Sequence, residues 1–146
     1  MECRLFHDND LHGCAETFVS VFNEAPWNDE WEMEKATKYL QDFSRTPGFI
    51  GILAVEGEAV IGFLFGSRRK WWSGDEFFIN EMCVKGKQQK KGVGKALLKQ
   101  LVDEMGDSAV TNISLLTDRG IPAEEFYKNN GFEEIERLVF LSRNVD

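Results

Sequence analysis

Cysteine is scarce, and Cys3, Cys14 and Cys83 are odd in number with no CxxC pair, which excludes a disulfide framework and gives no zinc spacing. They are expected to be reduced thiols. No apolar run approaches the ~20 residues that span a bilayer, and the opening MECRLFHDND has acids where a signal peptide needs an apolar stretch. A cytoplasmic protein without a membrane partner is expected. Base is also short. Seventeen Lys and Arg against twenty-five Asp and Glu leave a net charge of −8, which argues against a nucleic-acid partner and favours a cationic small molecule or a basic peptide. The two histidines, His7 and His12, lie near the N-terminus, and no repeat, linker or low-complexity tract occurs. No metal is expected.

What is present suits one domain over residues 1–146, since 42% hydrophobic content in a chain of this length can bury a proper core. Residues 2 to 6 read as a strand. Asp8, Asn9 and Asp10 offer N-caps to a helix with Leu11, Cys14, Ala15, Phe18 and Phe22 on one face, ended by Pro26. A second helix after Asn28 or Asp29 carries Met33, Ala36, Thr37, Leu40 and Phe43, and Pro47 and Gly48 close it. The run FIGILAVEGEAVIGFLFGSRR then reads as a hairpin turning at Glu56-Gly57-Glu58. A strand over Glu76 to Lys85 follows, then a helix marked by Val93, Ala96, Leu97, Leu101 and Met105 and a strand over 111 to 117. A short helix from Ala123 to Asn130 ends at Gly131, and Phe132 to Ser142 reads as a final strand or hairpin. Helices flanking a mixed sheet in this order indicate an α/β or α+β fold.

The bases that exist are clustered. Lys85, Lys87, Lys90, Lys91 and Lys95 fall in eleven residues without an acid. Within them, Gln89-Lys90-Lys91-Gly92-Val93-Gly94 joins a strand to a helix, where N–H groups lacking an intrahelical partner point at an anion and glycine leaves room for a phosphate. The helix dipole adds roughly half a positive charge. The alternative is a capped helix with a solvated lysine face. Leu97 stands where a dinucleotide fingerprint needs its third glycine, and no GK[ST] follows as a P-loop requires.

Gln89-x-x-Gly92-x-Gly94 after Met82-Cys83-Val84 resembles the acyl-coenzyme A motif of the GNAT superfamily, and Ala123-Glu124-Glu125-Phe126-Tyr127-Lys128-Asn129-Asn130-Gly131-Phe132 resembles that family's second motif. The resemblance implies a mixed six- to seven-stranded sheet with a split central strand, flanked by about four helices. It implies acetyl-coenzyme A as co-substrate, held by Met82, Cys83 and Val84 and by Gln89, Lys90, Lys91, Gly92, Val93, Gly94 and Lys95. A homodimer is the expected assembly. Gly120 stands where many members have Asn near the pantetheine, which removes that side-chain contact.

In the family the central strand, here Asn80 to Lys85, is split by a bulge and pairs with pantetheine, and an N–H near Met82 or Cys83 is placed to stabilise an oxyanion. Tyr127 corresponds to the acid that protonates the departing thiolate. Cys83 reads as a packed side chain rather than a covalent nucleophile, because no His is near it in sequence. An ammonium must lose a proton before it attacks a thioester, so a carboxylate or a water chain is needed. Glu81, in an otherwise apolar strand, is the leading candidate as base or ammonium ligand, with a salt bridge or an edge-exposed acid as the alternative. Trp27, Trp31, Trp71 and Trp72 flank the acceptor cleft by resemblance, where aromatic walls suit a cationic amine. Each could equally be a staple or loop plug. The expected activity is direct transfer of acetyl to a primary amine of a small molecule, aminoglycoside-, polyamine- or amino-acid-like. The alternatives are a protein lysine or N-terminal acetyltransferase, and a noncatalytic acyl-coenzyme A sensor.

Overall fold

The two apolar runs flanking Gly57 pair as an antiparallel hairpin, β2 (Phe49–Glu56) and β3 (Ala59–Arg69). Gly57 takes φ +59° in the turn, a conformation that strains residues with a Cβ. β1 (Glu2–Leu5) pairs with the outer edge of β2, and β4 (Asp75–Val84) with the other edge of β3, both antiparallel. β5 (Val110–Leu115) runs parallel to β4 and completes the order β1-β2-β3-β4-β5. A parallel neighbour needs a crossover, and the helix α3 (Val93–Met105) supplies it. The computed structural model describes residues 1–146, and all five strands lie in the first of two compact units, Met1–Leu116 and Thr117–Asp146.

Alternation along the strands gives this sheet two apolar faces. Leu53, Val55, Phe63, Phe65 and Cys83 cluster with Cys14, Ala15 and Phe18 of α1 (Leu11–Phe22) and with Ala36 and Leu40 of α2 (Met33–Ser44), all buried. Thr17 of α1 satisfies its hydroxyl in this layer by donating to the Val60 carbonyl at 2.9 Å. The other face receives α3, whose Val93, Leu97 and Leu101 are buried. Its approach is close: a Cβ added at Gly62 would stand 3.3 Å from Val93 Cγ1 and 3.0 Å from the Cys83 carbonyl oxygen.

The second unit is built on α4 (Pro122–Asn129). Proline in its first turn needs no N–H partner, and Glu124 accepts from the Gly120 amide at 2.8 Å and from Lys128 at 2.9 Å. Gly131 leaves the helix at φ +93°, and the Phe132 amide turns back to the Tyr127 carbonyl at 3.1 Å.

One expectation is corrected. Residues 132 to 142 form no strand, so the sheet has five strands rather than six to seven. A β-rich run becomes a strand only where an edge offers backbone partners. Here the Leu138 amide bonds locally to Ile135 at 3.2 Å, and Leu138, Val139, Phe140 and Leu141 are exposed.

Candidate active site

The register between β3 and β4 shifts at one place: Phe65 pairs with Glu81 and Gly66 with Ile79, so Asn80 is an extra residue on β4. Such a bulge re-aims the side chains beyond it. In an unbroken strand Glu81 would share the face of Phe77 and Ile79. The inserted residue instead turns it to the face of Phe65 and Cys83, toward α1 and α2. Gly66 permits this local crowding, since a Cβ there would collide with the Phe78 carbonyl and the Phe77 ring.

Glu81 thereby meets Tyr39. The phenol O–H of Tyr39, on the face of α2 that carries Ala36, Leu40 and Phe43, donates to Glu81 Oε1. Its ring is enclosed by Phe18, Trp31 and Phe43, with centroids at 5.5, 5.1 and 4.8 Å. Phe18 also meets Trp31 edge-on at 4.9 Å, and Trp27 meets Phe22 at 4.8 Å. Trp31 is fixed at both ends: Asn23, the C-cap of α1, accepts from its amide at 2.8 Å and donates to its carbonyl at 3.0 Å, and its indole N–H donates to Asp29 at 3.0 Å.

An apolar surround disfavours a charged carboxylate. Burial is the main cause that pushes the Glu81 pKa up to about 7, with the nearby Asp29 charge acting in the same direction and the Tyr39 hydrogen bond opposing both. Burial and the hydrogen bond to Glu81 hold Tyr39 well above its ordinary value, so it remains an O–H donor. Burial also keeps the Cys83 and Cys14 thiols protonated. A thiol in that state packs rather than attacks.

Beyond the bulge β4 loses a neighbour. It pairs with β5 only from Asp75 to Ile79, while its pairing with β3 continues to Val84, so Met82, Cys83 and Val84 have one edge without a strand. The lysine segment starts where this edge ends. Gln89 donates from its side-chain amide to the Val84 carbonyl at 3.0 Å, Lys90 has φ +65°, and Gly92 at φ +84° stands as the N-cap of α3 with no side chain capping the helix start. Lys87, Lys90, Lys91 and Lys95 are exposed around it, Gly94 is half-buried, and Val93 is buried against the sheet.

Of the residues expected to be functional, Glu81, Trp27 and Trp31 thus belong to one aromatic and acidic cluster in the first unit, and the acyl-coenzyme A motif lies further along the same strand and loop. Trp71 and Trp72 are exposed at the tip between β3 and β4, about 20 Å of strand from Glu81. Tyr127, in the second unit, packs its ring against Phe126 at 5.3 Å and Phe132 at 5.5 Å. Sequence reasoning passed over Tyr39 and Asp29. A tyrosine on the apolar face of α2 was the available signal, because a buried hydroxyl requires a partner. No group of three His, Cys, Asp or Glu side chains is arranged to hold a metal ion, and no helix is long and apolar enough to cross a membrane.

Residues 14–132 match the family model described as Acetyltransferase (GNAT) family. No curated protein matches the chain in sequence. Among solved structures, an integron cassette protein from the mobile metagenome of V. cholerae superposes with a TM-score of 0.82 at 20% identity, covering 98% of this chain and 91% of that one. An aminoglycoside acetyltransferase from an uncultured soil metagenomic sample, in complex with sisomicin, gives 0.77 at 16% identity over 99% of this chain and 96% of its own. An aminoglycoside antibiotic 6'-N-acetyltransferase from Acinetobacter haemolyticus gives 0.77 at 16% identity over 100% of both chains. At these identities the likeness speaks for the fold, whereas the family model spans most of the chain and includes both motifs. This chain belongs to the GNAT family of acetyltransferases.

Proposed function

We propose that the protein transfers the acetyl group of acetyl-coenzyme A directly to a primary amine of a small cationic molecule, with Glu81 receiving the ammonium proton. Acetyl-coenzyme A supplies an activated acyl thioester. The residues fit such a group: the edge of Met82, Cys83 and Val84 that lacks a strand, closed at the Val84 carbonyl by Gln89, can accept an extended amide-bearing arm, and the uncapped start of α3 at Gly92, ringed by lysines, suits a pyrophosphate. The family match runs across the division after Leu116, which supports one catalytic domain over 1–146.

The observation that carries the reading is Glu81 itself. A carboxylate turned into an aromatic cluster by a bulge, with a pKa of about 7, is matched to accepting a proton near neutral pH. Trp31, in the same aromatic cluster, suits an ammonium by cation–π contact. Glu81 first takes one proton from the ammonium; as the freed amine nitrogen then bonds to the acyl carbon and the carbon–sulfur bond breaks, the nitrogen's second proton passes to solvent, from which Tyr127 regains the proton it gives up. Tyr127, assigned by the family motif alone, gives a proton to the departing thiolate. The products are the N-acetyl amine and free coenzyme A thiol. Aminoglycoside acetyltransferases among the structural relatives favour a small-molecule acceptor over a protein lysine or N-terminus.

A panel of aminoglycosides, polyamines and amino-acid amines, assayed for release of free thiol and for the acetylated product, tests the reading. Thiol release dependent on a primary amine supports it. Acetylation of lysine peptides alone would reassign the acceptor, and acetyl-coenzyme A binding without transfer to any amine would indicate a sensor.

A further inference from the structure

We infer that Tyr39 is a positioning residue for the transfer reaction: its hydroxyl, delivered by α2, aims the Glu81 carboxylate and favours its charged form. The inference rests on the reading of Glu81 as proton acceptor and adds a residue to that site. Its basis is the set of groups that face the carboxylate. From the loop between α1 and α2 comes Asp29, whose negative charge favours protonated Glu81. Cys83 on β4 is a neutral thiol, as is Cys14 of α1 in the same cluster. Phe65, paired with Glu81 on β3, has no charge to offer. Against burial and Asp29, the Tyr39 hydrogen bond is the contact that favours the carboxylate form.

The ring geometry makes this a fixed contact. Contacts with Phe18, Trp31 and Phe43 restrict the Tyr39 ring, so little freedom is left to lose when its hydroxyl meets Glu81. Tyr39 also keeps its own proton, because burial and the adjacent carboxylate raise its pKa. It therefore acts through Glu81. Without the hydroxyl, Glu81 would be neutral over more of the working pH range and would hold the wrong form for accepting a proton.

Carboxyl-13C glutamate labelling tests this directly, with the Glu81 resonance identified by its loss in Glu81→Gln. In Tyr39→Phe the Glu81 titration midpoint is expected to rise by about one pH unit. The acid limb of kcat/KM should move with it, and the rate at alkaline pH should return toward wild type. The chain has two tyrosines, Tyr39 and Tyr127, so 3-fluorotyrosine incorporated into Tyr127→Phe modifies Tyr39 alone. The stronger phenol donor should lower the midpoint without loss of packing, which keeps the test decisive if Tyr39→Phe does not fold. An unmoved midpoint in a folded Tyr39 variant overturns the inference, even where Glu81→Gln is slow and the base assignment stands. A Glu81→Gln enzyme with wild-type kinetics overturns the base assignment and this inference with it.

Discussion

The Tyr39 hydroxyl donates to the Glu81 carboxylate across the seam between α2 and β4, joining residues 42 positions apart in sequence. Two local facts bring them together. Tyr39 lies on the buried stripe of its helix, and the extra residue Asn80 turns Glu81 toward that stripe. In the proposed reaction chemistry and stability meet at this point, because the environment that would keep Glu81 basic also penalises its charge.

The coupling has a definite sign. Burial raises the Glu81 pKa from 4.5 in the unfolded chain to about 7, so the folded state binds more protons between those values and stability falls as pH rises through them. Glu81→Gln keeps an acceptor for Tyr39 and removes the charge. At pH 4 the variant should match wild type in urea unfolding, and at pH 8 it should be more stable by about 2 kcal/mol, after allowance for solvent reaching a half-buried carboxylate.

Gly66 faces the bulge where the Phe78 carbonyl and the Phe77 ring leave no room for a Cβ. Gly66→Ala should lower stability by about 1–3 kcal/mol through overpacking. Activity should fall beyond the loss of folded protein, because the bulge aims Glu81. Chemical denaturation alongside specific activity per folded molecule separates the two effects.

Coenzyme A affinity should depend on the helix start. Gly94→Asp puts an anion in the first turn of α3, and Gly92→Asp does so while also straining a residue at φ +84°. Each should weaken acetyl-coenzyme A binding by at least ~2 kcal/mol in calorimetry. Unchanged affinity in folded Gly94→Asp would remove the pyrophosphate from this site.

Tyr127→Phe should retain acetyl-coenzyme A binding and lower kcat by ~10²-fold, the loss expected when a general acid is removed. Steady-state kinetics with calorimetry of the same preparation checks it. A wild-type kcat would leave Tyr127 as the ring that packs on Phe126 and Phe132.

Much of the fold is legible in the sequence because its signals are local. The stripe of Cys14, Ala15 and Phe18, the apolar runs around Gly57 and the glycines at the start of α3 each announce an element without reference to any other. Glu81 stood out for a similar reason, as a charge in an apolar strand. Tyr39 did not, since its partner is set by tertiary packing. The bulge is equally silent in β4 alone, because it is defined by what Gly66 and Phe65 pair with. Leu138 to Leu141 misled in the opposite direction: their composition is that of a strand, but no edge pairs with them.

The pH dependence of kcat/KM in wild type and Glu81→Gln, measured with an amine that the panel identifies, tests the central claim most directly. Wild type should show an acid limb near pH 7, where Glu81 titrates. In Glu81→Gln that limb should give way to a rate that keeps rising toward alkaline pH, where free amine exists without a base, while acetyl-coenzyme A affinity is unchanged. A variant with the wild-type profile, kcat and KM would contradict the account and make Glu81 a structural acid.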